Sequence, residues 1–250
     1  MKAIILAAGY ATRLYPLTKN FPKALLPIAD KPIINYLLDE LETLPELNQV
    51  HVVSNHRFIG HFENWLNELN QAKRYERLHI QVWDDGTSND ETKLGAVGDI
   101  QFVIDQAKLD DELLVAAADN FFTFPLIQFY NDFKSHQCDT LCAARMTDLN
   151  SLRRMAVATL DENRKVLNLE EKPEQPKSDI AVYALYLYRR DTLPLIRTYL
   201  AEGNSPDAPG HLPEWLYHRR EVRAFLFEGE CIDIGTPESY QETCRRFQKP

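Results

Sequence analysis

The chain has 250 residues, of which 44% are hydrophobic and 26% are charged, and its formal net charge is −9. A chain of this length and hydrophobic content can bury a sizeable core. The acidic balance argues against a general nucleic-acid binder, which needs a basic face. No apolar run reaches the roughly 18 residues that suggest a membrane span, so none is predicted.

The cysteine and histidine patterns argue against a disulfide framework and a zinc site. Cys138, Cys142, Cys231 and Cys244 form no CxxC pair, and the histidines show no zinc-ligand spacing. The N-terminal residues lack the anatomy of a signal peptide. The sequence therefore predicts a cytoplasmic protein with reduced thiols.

Apolar segments alternate with amphipathic helical segments through the first half of the chain. Residues 3–7 and 113–118 are predicted strands, and residues 32–44 are a predicted helix with one apolar face. Strands linked by helices indicate a three-layer α/β/α, Rossmann-like fold with a mixed, mainly parallel central sheet.

The second half of the chain has a different pattern. Residues 155–160 and 165–170 predict a small β-hairpin, and residues 237–247 predict a closing helix. We therefore expect a single domain over residues 1–250, with one half over 1–150 and a substrate-side half over 151–250.

The stretch from Leu6 to Leu14 follows the first predicted strand and is rich in small residues. Small residues let a ligand approach the backbone closely, and turn N–H groups with Arg13 and Lys23 would attract a polyanion. The stretch matches neither the GxxxxGK[ST] phosphate loop nor the GxGxxG fingerprint. Pro22 and Pro27 would hold Lys23 in a stiff segment, which suits charge stabilisation in phosphoryl transfer. This pattern points to a nucleoside triphosphate.

Asp119 comes directly after the apolar run from Leu113 to Ala118. Ligands of open α/β sheets bind beyond the carboxyl ends of the strands, so a carboxylate at this position is a candidate metal ligand. A turn or a helix cap is the alternative role for Asp119.

Six short motifs, taken in chain order, make the sequence resemble the nucleotidyltransferase family that produces nucleotide sugars, which includes glucose-1-phosphate thymidylyl- and uridylyltransferases. The motifs are Leu6-Ala7-Ala8-Gly9-x-x-Thr12-Arg13-Leu14, Pro22-Lys23-x-Leu25-x-Pro27-Ile28, Leu94-Gly95-Ala96-Val97-Gly98, Ala118-Asp119-Asn120, Glu170-Glu171-Lys172-Pro173 and Asp233-Ile234-Gly235-Thr236-Pro237. The resemblance covers nearly the whole chain and implies the nucleotide-diphospho-sugar transferase type of fold.

The resemblance also implies roles for individual residues. It assigns nucleotide binding to Ala8, Gly9, Thr12, Arg13, Lys23, Leu94 and Gly95. It assigns catalysis to Arg13, Lys23 and Asp119, and the holding of Mg²⁺ to Asp119 and Asp233. It further implies that Glu171 binds sugar hydroxyls and that Lys172 binds the acceptor phosphate. Residues 1–150 would then be the nucleotide-binding half and residues 151–250 the acceptor-binding half.

The implied reaction joins a nucleoside triphosphate (UTP, dTTP or CTP) to a sugar 1-phosphate and releases pyrophosphate. One alternative keeps this chemistry but uses CTP and phosphocholine or a similar amino-alcohol phosphate. A second alternative is a non-catalytic subunit that binds nucleotides or sugar phosphates and regulates a partner. Neither nucleic acid nor a membrane is an expected partner, and the sequence leaves a homo-oligomer open.

Four features depart from the family pattern. Ala11 and Ala118 stand where members often have glycine, and Met155-Ala156 replaces a Tyr-Gly pair that meets the sugar. The segment over residues 83–90 also differs from the thymidylyltransferase pattern, and it is expected near the nucleotide base.

Overall fold

A computed structural model describes residues 1–247 of the chain, with the backbone alone described at residue 233. The strands are β1 (Lys2–Leu6), β2 (Pro27–Ile28), β3 (Lys31–Pro32), β4 (Gln49–Ser54), β5 (Ile80–Asp84), β6 (Leu113–Ala117), β7 (Asn120–Phe122), β8 (Asp139–Arg145), β9 (Ala156–Leu160), β10 (Val166–Glu171), β11 (Ile180–Tyr188), β12 (Val222–Leu226) and β13 (Cys231–Asp233). The helices are α1 (Ile33–Glu42), α2 (Ile59–Gln71), α3 (Ala96–Ala107), α4 (Leu126–His136), α5 (Leu149–Leu152), α6 (Leu193–Ala201), α7 (His211–Leu216) and α8 (Pro237–Phe247). None of the helices within residues 1–247 is both long and apolar enough to cross a membrane.

The chain divides into two units. Unit 1 consists of Met1–Lys93, Ala116–Ile127 and Gly229–Pro250, and unit 2 consists of Leu94–Val115 and Gln128–Glu228. The predicted single domain, with halves that meet at residue 150, stays a prediction.

Parallel strands form the centre of unit 1. Strand β1 pairs with β4, and β4 pairs with β5, both in parallel. The interior of β1 is entirely apolar, and Ile4 and Ile5 are completely buried. Strands that are buried on both faces read as continuous apolar runs, which is why the sequence predicted β1 correctly.

Helices α1 and α2 of unit 1 follow the apolar periodicity of the sequence. The buried residues of α1 include Ile33, Leu37 and Leu41, which recur at the spacing of one helix face. Helix α1 begins directly after Pro32, within two residues of the predicted start and end. The indole nitrogen of Trp65 in α2 donates a hydrogen bond of 2.9 Å to the Oδ1 of Asn35 in α1.

The carboxyl ends of three strands meet at one edge in unit 1. The N–H of Ala7 donates to the carbonyl of Val53 at 2.9 Å, and the N–H of Ala118 donates to the carbonyl of Leu6 at 3.0 Å. The turns that follow β1, β4 and β6 therefore lie side by side. This edge is where the sequence predicts ligand binding.

Unit 2 contains antiparallel pairs. Strand β11 pairs with β8 and with β9, and β9 and β10 form a hairpin in which Ala156 lies opposite Glu171. Strand β12 runs parallel to β8. The hairpin confirms the strands predicted over residues 155–160 and 165–170.

A buried carboxylate in unit 2 has fixed partners. Asp139 has 0% exposure, and its Oδ1 accepts hydrogen bonds of 2.8 Å from the N–H of Arg189 and the hydroxyl of Thr192. The guanidinium of Arg220 lies 3.1 Å from its Oδ2. Burial raises the pKa of Asp139, while these donors and the guanidinium oppose that rise.

His51 in β4 is a buried histidine that resists protonation. It is 2% exposed, and its Nδ1 accepts a hydrogen bond of 3.0 Å from the indole N–H of Trp83. Burial lowers the pKa of His51 to about 4. A proton on Nδ1 would also remove the acceptor that Trp83 uses, so the neutral ring is the form that fits the fold.

We expect acid to destabilise the protein through His51. Because its pKa is about 6.5 when unfolded and about 4 when folded, the unfolded chain binds more protons between these values. The free energy of unfolding should therefore fall by about 2 kcal/mol from this residue between pH 7 and pH 5. Urea unfolding of His51→Gln at both pH values should show this pH dependence reduced.

The control is His56→Gln. The carboxylate of Asp84 lies 2.7 Å from the Nδ1 of the exposed His56 and raises its pKa, so its contribution has the opposite sign. This variant should keep the loss of stability between pH 7 and pH 5. An unchanged loss in His51→Gln would contradict the assignment to His51.

Candidate functional site

The residues that the sequence singled out fall into two groups, one in each unit. Unit 1 contains Ala8, Gly9, Thr12, Arg13, Lys23, Asp119 and Asp233. Unit 2 contains Leu94, Gly95, Glu171 and Lys172.

A buried asparagine fixes the loop that follows β1. The side-chain amide of Asn55 donates a hydrogen bond of 2.7 Å to the carbonyl of Ala8, and its Oδ1 accepts one of 3.1 Å from the N–H of Phe58. Asn55 is 0% exposed, so its amide is committed to these main-chain groups. Sequence reasoning missed Asn55. The available signal was a polar residue directly after the buried strand β4.

The opening loop presents its polar groups to solvent. Thr12 and Arg13 are exposed, and residues 12–14 form a short 3₁₀ turn. A Cβ built on Gly9 would meet no described heavy atom within 4 Å, and the Gly9 backbone is not left-handed. The fold therefore has no packing or backbone need for glycine at this position. A remaining physical reason for glycine at position 9 is that it lets a ligand approach the main chain closely.

Ala11 adopts a left-handed backbone conformation, with φ 46° and ψ 45°. Its carbonyl accepts hydrogen bonds from the hydroxyl of Thr18 at 2.8 Å and from the N–H of Leu14 at 2.9 Å, and these bonds hold the turn. For a residue with a Cβ this conformation costs about 1–2 kcal/mol. The strain explains in physical terms why glycine suits this position.

Lys23 and Asp119 form an ion pair at the carboxyl edge of the strands in unit 1. The Lys23 ammonium lies 2.6 Å from the Oδ2 of Asp119, and their side chains are 12% and 36% exposed. Lys23 begins a 3₁₀ turn directly after the extended Pro22. Asp119 lies in the turn between β6 and β7. The structure therefore brings together two residues that are 96 positions apart.

The backbone also brings Asp233 towards Asp119. Strands β13 and β7 pair in antiparallel fashion, and Asp233 lies opposite Asn120, the residue after Asp119. Cα atoms of opposite residues in such a pair are about 4.5–5.5 Å apart. The backbone therefore places position 233 beside the turn that carries Asp119. No group of three or more potential metal-binding side chains occurs among the described residues.

Gly95 in unit 2 begins helix α3 with a backbone that only glycine adopts easily. Its φ is +78°, and a Cβ built on it would lie 2.5 Å from the carbonyl oxygen of Pro206. The first N–H groups of α3 are already bonded, since Ala96 donates to Asp207 at 3.1 Å and Val97 donates to Pro206 at 2.9 Å. These two N–H groups are therefore committed to protein carbonyls.

Glu171 and Lys172 follow each other at the end of β10, where the chain leaves the sheet. The Lys172 ammonium lies 3.6 Å from the Oε1 of Glu171, and their side chains are 56% and 8% exposed. Burial raises the pKa of Glu171, an effect that Lys172 partly opposes. Lys172 has a positive φ of 51°, a conformation that is strained for a residue with a side chain and is frequent at functional sites.

Met155 and Ala156 lie directly opposite this pair. Ala156 is the strand partner of Glu171, and the N–H of Lys172 donates a hydrogen bond of 3.1 Å to the carbonyl of Met155. Met155-Ala156, which replaces the Tyr-Gly pair, therefore lies beside Glu171 and Lys172, the residues to which the resemblance assigns acceptor binding.

The segment after α6 contributes two residues that sequence reasoning did not assign to the site. A Cβ built on Gly210 would lie 1.9 Å from the Oε2 of Glu171. His211 carries the next side chain, and its Nδ1 lies 3.2 Å from the Oε2 of Glu214. The sequence favoured a plain surface connection over residues 204–211, with a substrate-side or dimer loop as the alternatives, and it did not predict the contact with Glu171.

Comparison with known proteins decides the family. The model of the nucleotidyl transferase family matches residues 2–249. The chain belongs to the nucleotidyl transferase family. Members of this family generally depend on a divalent metal ion.

Relatives of this nucleotidyl transferase include a protein named as a glucose-1-phosphate thymidylyltransferase. The glucose-1-phosphate thymidylyltransferase of Neisseria gonorrhoeae is 32% identical over 267 residues, a match covering 99% of this chain and 83% of the relative. The bifunctional protein GlmU of Methanocaldococcus jannaschii is 27% identical over 241 residues, covering 95% of this chain. The chain spans 52% of GlmU and 61% of a 28% identical protein of Sulfolobus acidocaldarius.

The fold of this nucleotidyl transferase matches that of solved structures. A UDP-glucose pyrophosphorylase complexed with UDP-glucose superposes with a TM-score of 0.81 at 22% identity, covering 98% of this chain and 97% of the other. The predicted α/β fold of the nucleotide-diphospho-sugar transferase type is thereby confirmed.

We expect Ala11→Gly to stabilise the protein by up to about 1 kcal/mol. Removal of the Cβ relieves the left-handed strain, and the greater freedom of glycine in the unfolded chain offsets part of this gain. The free energy of unfolding, measured with urea, checks the prediction.

A matched control is Ala72→Gly. Ala72 caps α2 in a right-handed conformation with φ −80°, so the same change brings only the entropic loss. It should lower the free energy of unfolding by about 0.5–1 kcal/mol. The same sign of change in both variants would contradict the argument from strain at Ala11.

Proposed function

We propose that this member of the nucleotidyl transferase family joins a nucleoside triphosphate to a sugar 1-phosphate. An oxygen of the acceptor phosphate attacks the α-phosphorus of the triphosphate, and the bond from that phosphorus to the bridging oxygen of the β-phosphate breaks. The products are a nucleoside diphosphate sugar and pyrophosphate. The observation that carries the proposal is the contact between Lys23 and Asp119 in a chain of this family.

The opening loop supports the donor half of this reaction. The exposed main chain at Gly9 and the exposed side chains of Thr12 and Arg13 are suited to wrap a triphosphate. The nucleotide is thus assigned to the loop that Asn55 holds in place at Ala8. Leu94 and Gly95 are assigned to the base by the family resemblance.

Lys23 supplies positive charge to the reacting phosphate in this proposal. Its ammonium is now paired with Asp119 at 2.6 Å, and the triphosphate, which carries several negative charges, would compete with Asp119 for it. Such an exchange would free the Asp119 carboxylate at the moment when the triphosphate arrives. Lys23 and Arg13 would then stabilise the charge that develops on the phosphate oxygens.

We assign Asp119 and Asp233 as the residues that would hold Mg²⁺. When bound there, the ion would neutralise charge on the triphosphate and favour departure of pyrophosphate. The residues fit this role because β13 places Asp233 beside the turn that carries Asp119.

Glu171 and Lys172 support the acceptor half. A buried carboxylate accepts hydrogen bonds from sugar hydroxyls, and an exposed ammonium attracts the phosphate. The side-chain exposures of 8% for Glu171 and 56% for Lys172 match these two tasks. The aligned positions of donor and acceptor phosphates, rather than a covalent enzyme intermediate, would supply most of the rate enhancement.

Pyrophosphate release tests the proposal. UTP, dTTP, CTP, ATP and GTP would each be incubated with Mg²⁺ and with glucose 1-phosphate, mannose 1-phosphate or phosphocholine. We expect turnover with at least one pair that contains a sugar 1-phosphate. Turnover with phosphocholine alone would favour the amino-alcohol alternative. Binding without turnover would favour the regulatory alternative, and both results would overturn the proposal.

We expect Asp119→Asn and Asp233→Asn each to lower kcat at least about a hundredfold, because each removes a negative charge from the metal site. Steady-state kinetics on the active pair from the panel measures the effect. Thermal unfolding of each variant shows whether the fold is retained.

Asp110→Asn is the matched control. Asp110 is an aspartate with a 70% exposed side chain that pairs with Arg190, and it lies outside the proposed site. Its kcat should stay within about twofold of the parent value, because exposed pairs contribute little. Full activity in Asp119→Asn or Asp233→Asn would remove that residue from the metal site.

A further inference from the structure

The segment over residues 204–210, which we call the 204–210 loop, connects α6 to α7. It is fastened to α6 at its start. The side-chain amide of Asn204 donates a hydrogen bond of 2.8 Å to the carbonyl of Tyr199, and the hydroxyl of Tyr199 donates back to the carbonyl of Ser205. Tyr199 itself is 2% exposed, so the loop begins from a fixed point in unit 2.

The middle of the 204–210 loop touches the first turn of α3. The carbonyls of Pro206 and Asp207 accept hydrogen bonds from the first two N–H groups of that helix. There is no space between Pro206 and Gly95, where a built Cβ would be 2.5 Å from the Pro206 oxygen. This contact ties the loop to the Leu94-Gly95 motif.

The end of the 204–210 loop touches the carboxylate of Glu171. A Cβ built on Gly210 would lie 1.9 Å from the Oε2 of Glu171, 2.9 Å from its Cδ and 3.3 Å from the Cβ of Ala156. The carboxylate therefore occupies the space that any side chain at position 210 would need. Lys172 contacts the other oxygen, Oε1, at 3.6 Å.

The backbone conformation at position 210 does not require glycine. Its φ is −72° and its ψ is −18°, values that every residue adopts readily, and it is the cap residue of α7. A side chain at this position would instead displace the Glu171 carboxylate. This separates Gly210 from Gly95, where both the positive φ and the lack of space require glycine.

We propose that Gly210 is a specificity-determining position that acts through Glu171. The missing side chain leaves room for the carboxylate beside the loop backbone, and from this position the carboxylate would accept hydrogen bonds from the hydroxyls of the acceptor. The same loop also bonds to the first turn of α3. The position of the Glu171 carboxylate is therefore fixed relative to the Leu94-Gly95 motif within unit 2. This inference rests on the proposed function and names a positioning residue for its acceptor.

The position of the Glu171 carboxylate beside Gly210 also favours one class of acceptor. The carboxylate is buried, its pKa is raised by burial, and Lys172 already provides a partial counter-charge. Such a group favours neutral hydroxyl donors at a fixed distance, since its charge is already partly balanced. The acceptor class that this carboxylate favours is therefore a phosphate that carries several hydroxyl groups.

Gly210→Ala is the decisive variant. The backbone tolerates alanine, so the direct effect is to push the Glu171 carboxylate from its seat. Because misplacement of a positioning group by about 1 Å can cost up to a hundredfold, we expect the KM for the sugar 1-phosphate to rise about tenfold or more. The KM for the nucleoside triphosphate should stay within about twofold of its parent value.

Gly60→Ala is the matched control. Gly60 lies in α2, where a built Cβ would meet no described atom within 4 Å. The same chemical change should leave both KM values within about twofold of the parent values, because nothing has to move. Equal rises of both KM values in Gly210→Ala, or no rise at all, would overturn the proposal.

A double-mutant cycle shows whether Gly210 acts through Glu171. In a Glu171→Ala background the added methyl group no longer meets a carboxylate, so Gly210→Ala should raise the KM for the sugar phosphate no further. If the two substitutions raised the KM for the sugar phosphate independently, so that the increases multiplied in the double variant, Gly210 would act by another route and the proposal would be overturned.

Calorimetric binding keeps this test separate from that of the proposed function. The probes are glucose 1-phosphate and inorganic phosphate, each titrated into the parent protein and into Gly210→Ala. The Kd for glucose 1-phosphate should rise about tenfold, while the Kd for inorganic phosphate stays unchanged, because phosphate presents no sugar hydroxyls. An equal change in both Kd values, or no glucose 1-phosphate binding by the parent, overturns this inference. Absence of turnover with every pair in the panel rejects the proposed function alone.

Discussion

The alignment of parallel strand ends is the constraint on which the proposed donor side of the site depends. Hydrogen bonds from Ala118 to the Leu6 carbonyl and from Ala7 to the Val53 carbonyl bring three turns to one edge in unit 1. One turn carries Gly9, another carries Asn55, and the third carries Asp119. A slip in the register of one strand would separate these residues, because each is placed by its strand and not by the chain around it.

Buried carboxylates in unit 2 differ in how much bonding capacity they have left. Asp139 accepts from a main-chain N–H and a hydroxyl and faces the Arg220 guanidinium, so its capacity is used within the fold. Glu171 is nearly as buried but meets an exposed ammonium at 3.6 Å and the bare backbone of Gly210. The first arrangement is satisfied within the fold, and the second is the one to which we assign the proposed acceptor.

Much of this architecture was predictable from sequence, because the strands and helices have clear periodicity. The apolar run of β1 and the one-sided face of α1 are local properties, and both were located to within two residues. The position of Asp119 was also predictable, since a polar residue after a buried strand is a local signal. Its contact with Lys23 was not, because the contact depends on how distant segments of unit 1 meet.

Glycines mark the limit of sequence reasoning in this chain. Gly210 lies in a segment that reads as an ordinary loop, yet its backbone is right-handed and its missing side chain makes room for Glu171. Ala11 shows the converse, since the sequence drew attention to the position but only the structure gives its left-handed φ of 46°. Local chemistry indicates that a residue is unusual, and the packing around it supplies the reason.

The bond between the 204–210 loop and α3 has a consequence for how this region tolerates sequence change. The carbonyls of Pro206 and Asp207 make the bond, and every amino acid supplies a carbonyl. Substitutions that preserve the path of the backbone would therefore leave the helix start unaltered while changing what the loop shows to solvent. The charge and shape of such a loop can vary while its backbone bonds to α3 are kept. Gly210 is the exception, because a side chain there would displace Glu171.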